Sequence, residues 1–283
     1  MDSAAPAAGG RRFQDKVALV TGSSRGLGRA IVQALSAEGA KVIVNSHRSA
    51  PDGRAVATGI QQAGGEAIYV SADVGSEADV RALAGVVERQ YGGIDIIVHN
   101  AASGYERPIC ATTWPEFRTA VLVNTYALVL LARHLGPLRR DRSKVLYVSS
   151  MGAERALDGY GSVGAAKAAS EAVIRSLALE WAPRTQANVI RPNIIPSVSL
   201  RSFSWADRLW QILEEETPLG IQDVGQLVAV ALWLCSSDAD YLTGQVITAD
   251  GGLSATVYRP GLRSAARAPA GATVLPLPSA REA

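Results

Sequence analysis

Cysteine is scarce in this chain of 283 residues. There are two, Cys110 and Cys235, far apart and outside any metal-ligand spacing, which favours a reducing compartment with buried thiols over a disulfide. Histidine is nearly as rare, and His47, His99 and His134 form no zinc motif. No sign of charge dominates: 28 basic side chains stand against 26 acidic ones, the balance neither of a nucleic-acid binder nor of a disordered acidic chain. Long hydrophobic runs are also missing. The longest clean one, 127–132, is far too short to span a bilayer. The start, MDSAAPAAGGRR, carries its charges after the small residues and lacks the apolar centre of a secretory signal. Together these absences lead us to expect a soluble cytoplasmic protein with no membrane and no nucleic-acid partner.

Apolar residues make up 48% of the chain, enough for one sizeable core. The two ends read differently from the middle. Residues 1–12 form an Ala/Pro/Gly-rich arm, and 259–283 a Pro/Ala/Arg-rich tail, both expected to be disordered. Between them, over 13–258, short Val- and Ile-rich runs at 16–21, 41–45, 66–70, 94–99, 144–149, 187–191 and 245–250 read as strands. Several are apolar on both faces, as buried parallel strands are. Leu27, Ile31 and Leu35 recur at helical spacing, as do Val80, Leu83 and Val87; 113–137, 162–182 and 222–236 are helix-like as well. This alternation predicts an α/β fold: a single doubly wound Rossmann-type domain, with a mostly parallel seven-stranded sheet and helices on both faces.

After the first expected strand comes TGSSRGLGRA, 21–30, with Gly22, Gly26 and Gly28 spaced G-x-x-x-G-x-G. Glycines there let the backbone approach a pyrophosphate, and the helix that follows offers free N–H groups and a positive dipole end. The strand–turn–helix setting makes this a nucleotide site rather than a plain glycine-rich loop. The end of the second strand reads VIVNSHRS, with Asn45, His47 and Arg48 where NAD-binding sheets place an acid. With Arg25 in the turn, two guanidiniums suit a 2′-phosphate, so the expected cofactor is NADP(H).

From these residues onward the chain resembles the short-chain dehydrogenase/reductase family, over roughly 14–256. TGSSRGLG is similar to that family's TGxxxGxG turn, SADV (71–74) to its adenine-contacting segment, HNAA (99–102) to its NNAG segment, and ITADGG (247–252) to its closing strand and turn. The resemblance implies cofactor contacts from Gly22, Ser24, Arg25, Gly26, Leu27, Gly28, Asn45, His47, Arg48, Asp73, Val74, Asn100, Ala101, Ala102 and Ile195. It also implies a catalytic set of Asn124, Ser149, Tyr160 and Lys167, the last two touching the cofactor as well. The family's usual Y-x-x-x-K pair is replaced: DGYGSVGAAKAASEA, 158–172, has Val163 four residues before Lys167, and its tyrosine is Tyr160. That Y-x6-K spacing, with MGAER (151–155) and ETPLG (216–220), resembles the enoyl-acyl carrier protein reductase branch. Ser150 stands where some members of that branch carry an additional tyrosine. Pro192-Asn193 replaces the family's usual Pro-Gly, and His99 and Ala102 depart from its commonest NNAG.

Seven residues are two helical turns, so Tyr160 and Lys167 can line one groove if a helix starts near Tyr160. A nearby ammonium makes a phenol a better acid. In enoyl-thioester reduction the phenol would hydrogen-bond the thioester oxygen as it gains charge; in ketone reduction it would protonate the alkoxide. Asn124 could serve a proton relay or simply satisfy a helix kink. Residues 197–216, with Phe203, Trp205, Leu209 and Trp210, are expected to form an apolar flap over the substrate, although a plain amphipathic helix shows the same spacing. Arg201 and Arg208 could meet an acidic carrier protein. The expected activity is NADPH-dependent reduction of an enoyl thioester, on an acyl carrier protein, in fatty-acid or polyketide synthesis. The alternatives are a 3-ketoacyl or polyketide ketoreductase, and a catalytically inactive NADP-binding regulator or scaffold. The resemblance further implies a homotetramer or homodimer.

Overall fold

In the computed structural model, which describes residues 11–195, 203–221 and 223–256, the Val/Ile runs pair into one sheet of seven parallel strands. They are β1 (Val17–Val20), β2 (Lys41–Ser46), β3 (Ala67–Ser71), β4 (Ile94–His99), β5 (Arg139–Val148), β6 (Thr185–Pro192) and β7 (Val246–Ala249). Their spatial order is β3-β2-β1-β4-β5-β6-β7. The residues of each strand alternate between two cores. Ala18, Val20, Val42, Val44, Ile96 and Val98 face α1 (Gly26–Ala37), α2 (Ala50–Gln62) and α8 (Val224–Cys235). Val17, Leu19, Ile43, Ile97, Val145 and Tyr147 face α3 (Glu77–Tyr91), α5 (Ala127–Leu135) and α6 (Gly161–Trp181). Both faces being covered is why these strands lack an exposed polar side. The chain winds outward from β1 to β3, then returns to lay β4 on the other side of β1. A crevice therefore opens beyond the carboxyl ends of β1 and β4, the place where such sheets bind ligands.

Several elements depart from the sequence expectation. β5 starts at Arg139 rather than near 144, because its first residues, RRDR, are half-buried or exposed and carry polar side chains that give no apolar signal. The helix expected over 113–137 is continuous but not uniform. α4 (Trp114–Val121) passes through a π-helical turn, Leu122–Tyr126, into α5. The run Trp114–Leu138 is long and apolar enough, by length and composition, to cross a membrane, although its clean apolar stretch is short; here it is laid against α3 and α6. Cys235 is buried as expected, but Cys110 is exposed in a short 3-10 turn. Of the two ends expected to be loose, Arg11 and Arg12 are described, and Arg12 pairs with Glu38 across to the end of α1. Residues 1–10 and 257–283 lie outside the described residues, as do 196–202 of the expected flap, including Arg201. The rest of that flap carries α7 (Ala206–Glu216).

Candidate active site

The glycine turn joins β1 to α1. Gly22 has φ of +65°, and a Cβ there would lie 2.9 Å from the Ala101 Cα; one at Gly28 would lie 2.6 Å from the Gly22 carbonyl oxygen. These two glycines let the turn nest against the Asn100–Ala101 segment. Asn100 donates its amide to the carbonyls of Thr21 and Gly22, both at 3.1 Å, and the Thr21 hydroxyl accepts the backbone N–H groups of Asn100 and Ala101. Gly26 serves differently: its φ is +57°, and nothing lies within 4 Å of where a Cβ would project. Arg25, the N-cap residue of α1, makes no side-chain cap, and the first turn holds no acid. Uncapped N–H groups, open space and no carboxylate form a cradle that fits the pyrophosphate of a dinucleotide.

The remaining cofactor candidates divide into framework and surface. Ser24 and Leu27 are buried, and the Ser24 hydroxyl is bonded to Ser49. Asn45 is also buried and spends its amide on the carbonyls of Val70 and Ala72, fastening β2 to β3. Val74 is buried, Ala102 exposed and Ile195 half-buried. Arg25, His47 and Arg48 are exposed at the crevice end of β1 and β2. His47 lies 3.6 Å from Asp73, the only acid it meets among the described residues.

On the α6 side, Tyr160 is the N-cap residue and Lys167 follows two turns in. The Lys167 ammonium is buried, donates to the Val148 carbonyl at 2.8 Å and lies 4.9 Å from the centre of the Tyr147 ring. Burial pulls it down to about 7, against the opposing charge of Glu171. The Tyr160 phenol is raised above its ordinary value by burial, opposed by a hydrogen bond with Ser150. The two serines at the end of β5 therefore point to different partners. Ser149, expected to act on substrate, is 4% exposed and donates to Glu171 at 2.6 Å. Strand alternation explains it: Ser149 falls on the same side as Tyr147, toward α6. Ser150 is instead the hydroxyl that acts against the upward shift of Tyr160, while its oxygen accepts the Gly152 N–H at 3.2 Å; the sequence reading gave it no role. Counting strand parity from Tyr147 was the signal available.

Asn124 sits in the π turn, where such irregularities often mark function. Its amide donates to Ala120 O and Ser103 O, and its backbone carbonyl accepts from Ser170. Its Oδ1 is buried without a hydrogen-bond partner. Nearby, His99 stacks on Tyr147 with ring centres 5.6 Å apart. The carbonyl of Val123 can only accept, so His99 carries its proton on Nε2 toward it, and Nδ1 accepts from Thr21. Burial, and then the Lys167 charge, pull His99 down to about 3. A neutral histidine thus ties the glycine turn to the helix of Asn124.

The flap closes over this end. Phe203 lies 5.6 Å from the Tyr160 ring, with Trp205 tilted against it at 4.8 Å. Ser204 donates its N–H and hydroxyl to Glu106. Leu209 and Trp210 pack with Met151 around Ile194, Leu213 and Leu253. A groove of about 260 Å³ runs past Met151, Ile212, Leu213 and Leu253, with Arg155 and Glu216 at its edge. Asn193, in place of the usual glycine, is buried and bonds Thr217 and the Ile194 N–H, bracing the loop after β6 against the end of α7.

The model of the family described as "Enoyl-(Acyl carrier protein) reductase" matches residues 22–254. Among curated proteins, the 1-cyclohexenylcarbonyl-CoA reductase of Streptomyces collinus is 30% identical over 246 residues, covering 84% of this chain and 87% of that protein. A gluconate 5-dehydrogenase from Burkholderia cenocepacia, solved with NADP and tartrate, superposes with a TM-score of 0.78 at 26% identity, covering 87% of this chain and 99% of that one. A 7α-hydroxysteroid dehydrogenase solved with NADH and 7-oxo glycochenodeoxycholic acid superposes with a TM-score of 0.81 at 29% identity, covering 86% and 95%. A glycine turn at the switch point, a tyrosine opening α6 with its lysine two turns on, and these likenesses lead to one assignment: the chain is an oxidoreductase of the short-chain dehydrogenase/reductase family, whose members use nicotinamide cofactors.

Proposed function

We propose that the chain is an NADPH-dependent reductase of an α,β-unsaturated thioester. The observation that carries this reading is the Y-x6-K pair at the start of α6. The Tyr160 phenol faces the flap ring of Phe203, and the Lys167 ammonium is anchored on Val148. When bound, the nicotinamide supplies the hydride. Tyr160 donates a hydrogen bond to the thioester oxygen and stabilises the charge that builds there. Ser150 orients the phenol, and Lys167 provides the adjacent cation and holds the ribose. Asn124, through its orphaned Oδ1, is available to hold a water of a proton relay. Phe203, Trp205 and the groove beside Met151 suit an apolar acyl group. The name of the Streptomyces relative describes a CoA thioester with an unsaturated acyl group, in keeping with this chemistry.

NADPH is favoured over NADH by the exposed Arg25 and Arg48, which make no ion pair among the described residues, and by the lack of an acid at the end of β2. The acyl group is carried on a carrier protein, with Arg208 exposed on α7 to meet it. Pairing of chains through α4–α6 is part of the same proposal, and exposed Tyr126, Val129 and Leu179 on those helices support it. A second reading, reduction of a ketoacyl thioester, draws on the Ser150–Tyr160 hydroxyl pair, which suits a ketone oxygen equally well.

Purified protein with NADPH, offered a 2-enoyl and a 3-ketoacyl thioester, tests both. Oxidation with the first alone supports the proposal, and oxidation with the second alone replaces it. Cofactor binding without turnover of any thioester would point to a regulator.

A further inference from the structure

Four groups beside the proposed site form a buried chain that the reaction itself does not call for. Glu171 lies one helical turn beyond Lys167 on α6, so the two side chains share a face. Consecutive residues at the end of β5 hold them: the Val148 carbonyl accepts from Lys167, and the Ser149 hydroxyl donates to Glu171. Arg191 of β6 grips the same carboxylate with two nitrogens, at 3.1 and 2.7 Å. Its remaining nitrogen bonds Glu154 in the loop that leads to Tyr160, at 2.5 Å. Ser149, Lys167 and Glu171 are each 5% exposed or less.

A carboxylate this deep is costly unless it is paired and hydrogen-bonded. Glu171 has both. Three donors from two different strands fix its charge and its direction. Lys167 is otherwise surrounded by groups that offer it little: neutral His99 from β4, and the Tyr147 ring and the Val148 carbonyl from β5. Among the charges acting on it, Glu171 is the one that favours the ammonium.

We propose that Glu171, locked by Ser149 and Arg191, is a positioning residue that keeps Lys167 an ammonium and seated on β5. Ser149 then acts through Glu171 and not on substrate. The inference rests on Lys167 having the role proposed above, yet its test does not need turnover. With only four lysines in the chain, Lys16, Lys41, Lys144 and Lys167, the Lys167 titration can be followed by NMR of lysine labelled with ¹³C at Cε. Glu171→Gln keeps an acceptor for Ser149 and Arg191 but removes the charge, and it should lower the Lys167 midpoint by about one pH unit. Glu171→Asp keeps the charge while shortening the reach, and should hold the midpoint nearer to wild type. A merely structural role predicts the reverse ranking, since Gln is the closer shape. The alkaline limb of NADPH binding, read by cofactor fluorescence, should move with the midpoint. Should Glu171→Gln not fold, the pair Glu171→Gln with Arg191→Gln leaves no stranded guanidinium, and a lowered midpoint is again expected. A midpoint unchanged or raised in the Gln variants overturns the proposal, whatever thioester the enzyme reduces.

Discussion

Tyr160, Ser149 and Ser150 each have a distinct expected signature. Tyr160→Phe removes a hydrogen bond needed as charge builds on the substrate oxygen. It should lower kcat by about a hundred-fold while leaving the Kd for NADPH nearly unchanged. Steady-state kinetics alongside fluorescence titration separates the two, and near-wild-type turnover would reject the assignment. Lys167→Ala should weaken both. The serines should split. Ser150→Ala loses the partner of the phenol and should lower kcat on the order of ten-fold, with little change in melting temperature. Ser149→Ala strips a buried carboxylate of a donor and should destabilise the fold by about 1.5–3 kcal/mol, with the smaller effect on kcat. Equal effects of the two substitutions on kcat would contradict the geometry. Tyr160, Lys167 and the glycines could be picked out as candidates because their spacing along the chain is itself the signal. The Ser149–Ser150 choice was not, because adjacent serines read alike until the strand assigns them opposite sides.

At the scale of elements, the contact between α6 and the loop after β5 sets the position of Tyr160. Gly164 lies on α6, and a Cβ there would stand 2.5 Å from the Gly152 carbonyl oxygen. Alanine is the better helix former by about 1 kcal/mol, so on propensity alone Gly164→Ala should stabilise. The clash is between two backbones, neither of which can turn aside, so the opposite is expected: a lower melting temperature and reduced kcat, measured by scanning calorimetry and initial rates. A rise in melting temperature would show that the loop moves freely of α6. Gly159 and Gly161 face a different segment: Gly159 has φ of +63°, and a Cβ there would lie 2.8 Å from the Glu106 Cγ, while one at Gly161 would lie 3.1 Å from the Ile109 Cβ. The π turn in the helix of Asn124 had no such signal. Its sequence, LVNTY, is ordinary, and the extra residue is accommodated only because Asn124 binds Ala120 O and Ser103 O across the break.

For the molecule as a whole, buried basic groups make stability depend on pH. Lys167 is held near 7 in the folded protein and lies near 10.5 when exposed in the unfolded chain. Between those values the unfolded chain binds the extra proton, so stability should rise with pH across this window, by at most about 1.4 kcal/mol per pH unit. His99 acts with the same sign lower down, between about 3 and 6.5. Denaturant unfolding of the cofactor-free protein between about pH 7 and 9 should show the rise, and Lys167→Met should flatten it. A flat profile across that range in the wild type would mean that Lys167 keeps its proton in the fold as it does in the unfolded chain. The assembly state belongs to this scale too: light scattering should report a dimer or tetramer, and Leu179→Glu should dissociate it. A monomeric wild type would remove that part of the proposal.

The sequence by itself determined the strand–helix alternation, the glycine turn and the Y-x6-K pair, because each follows from local periodicity or from spacing along one helix. It also offered Arg25 and Arg48 as candidate partners of a 2′-phosphate, since no acid ends β2. Tertiary structure alone decided the rest. Ser149, Glu171 and Arg191 come from a strand end, a helix and another strand. His99 reaches Thr21 and Val123 only because β4 lies beside β1 and against the π turn. Such contacts join residues far apart in the chain, and their energy arises from burial, which no short stretch of sequence contains.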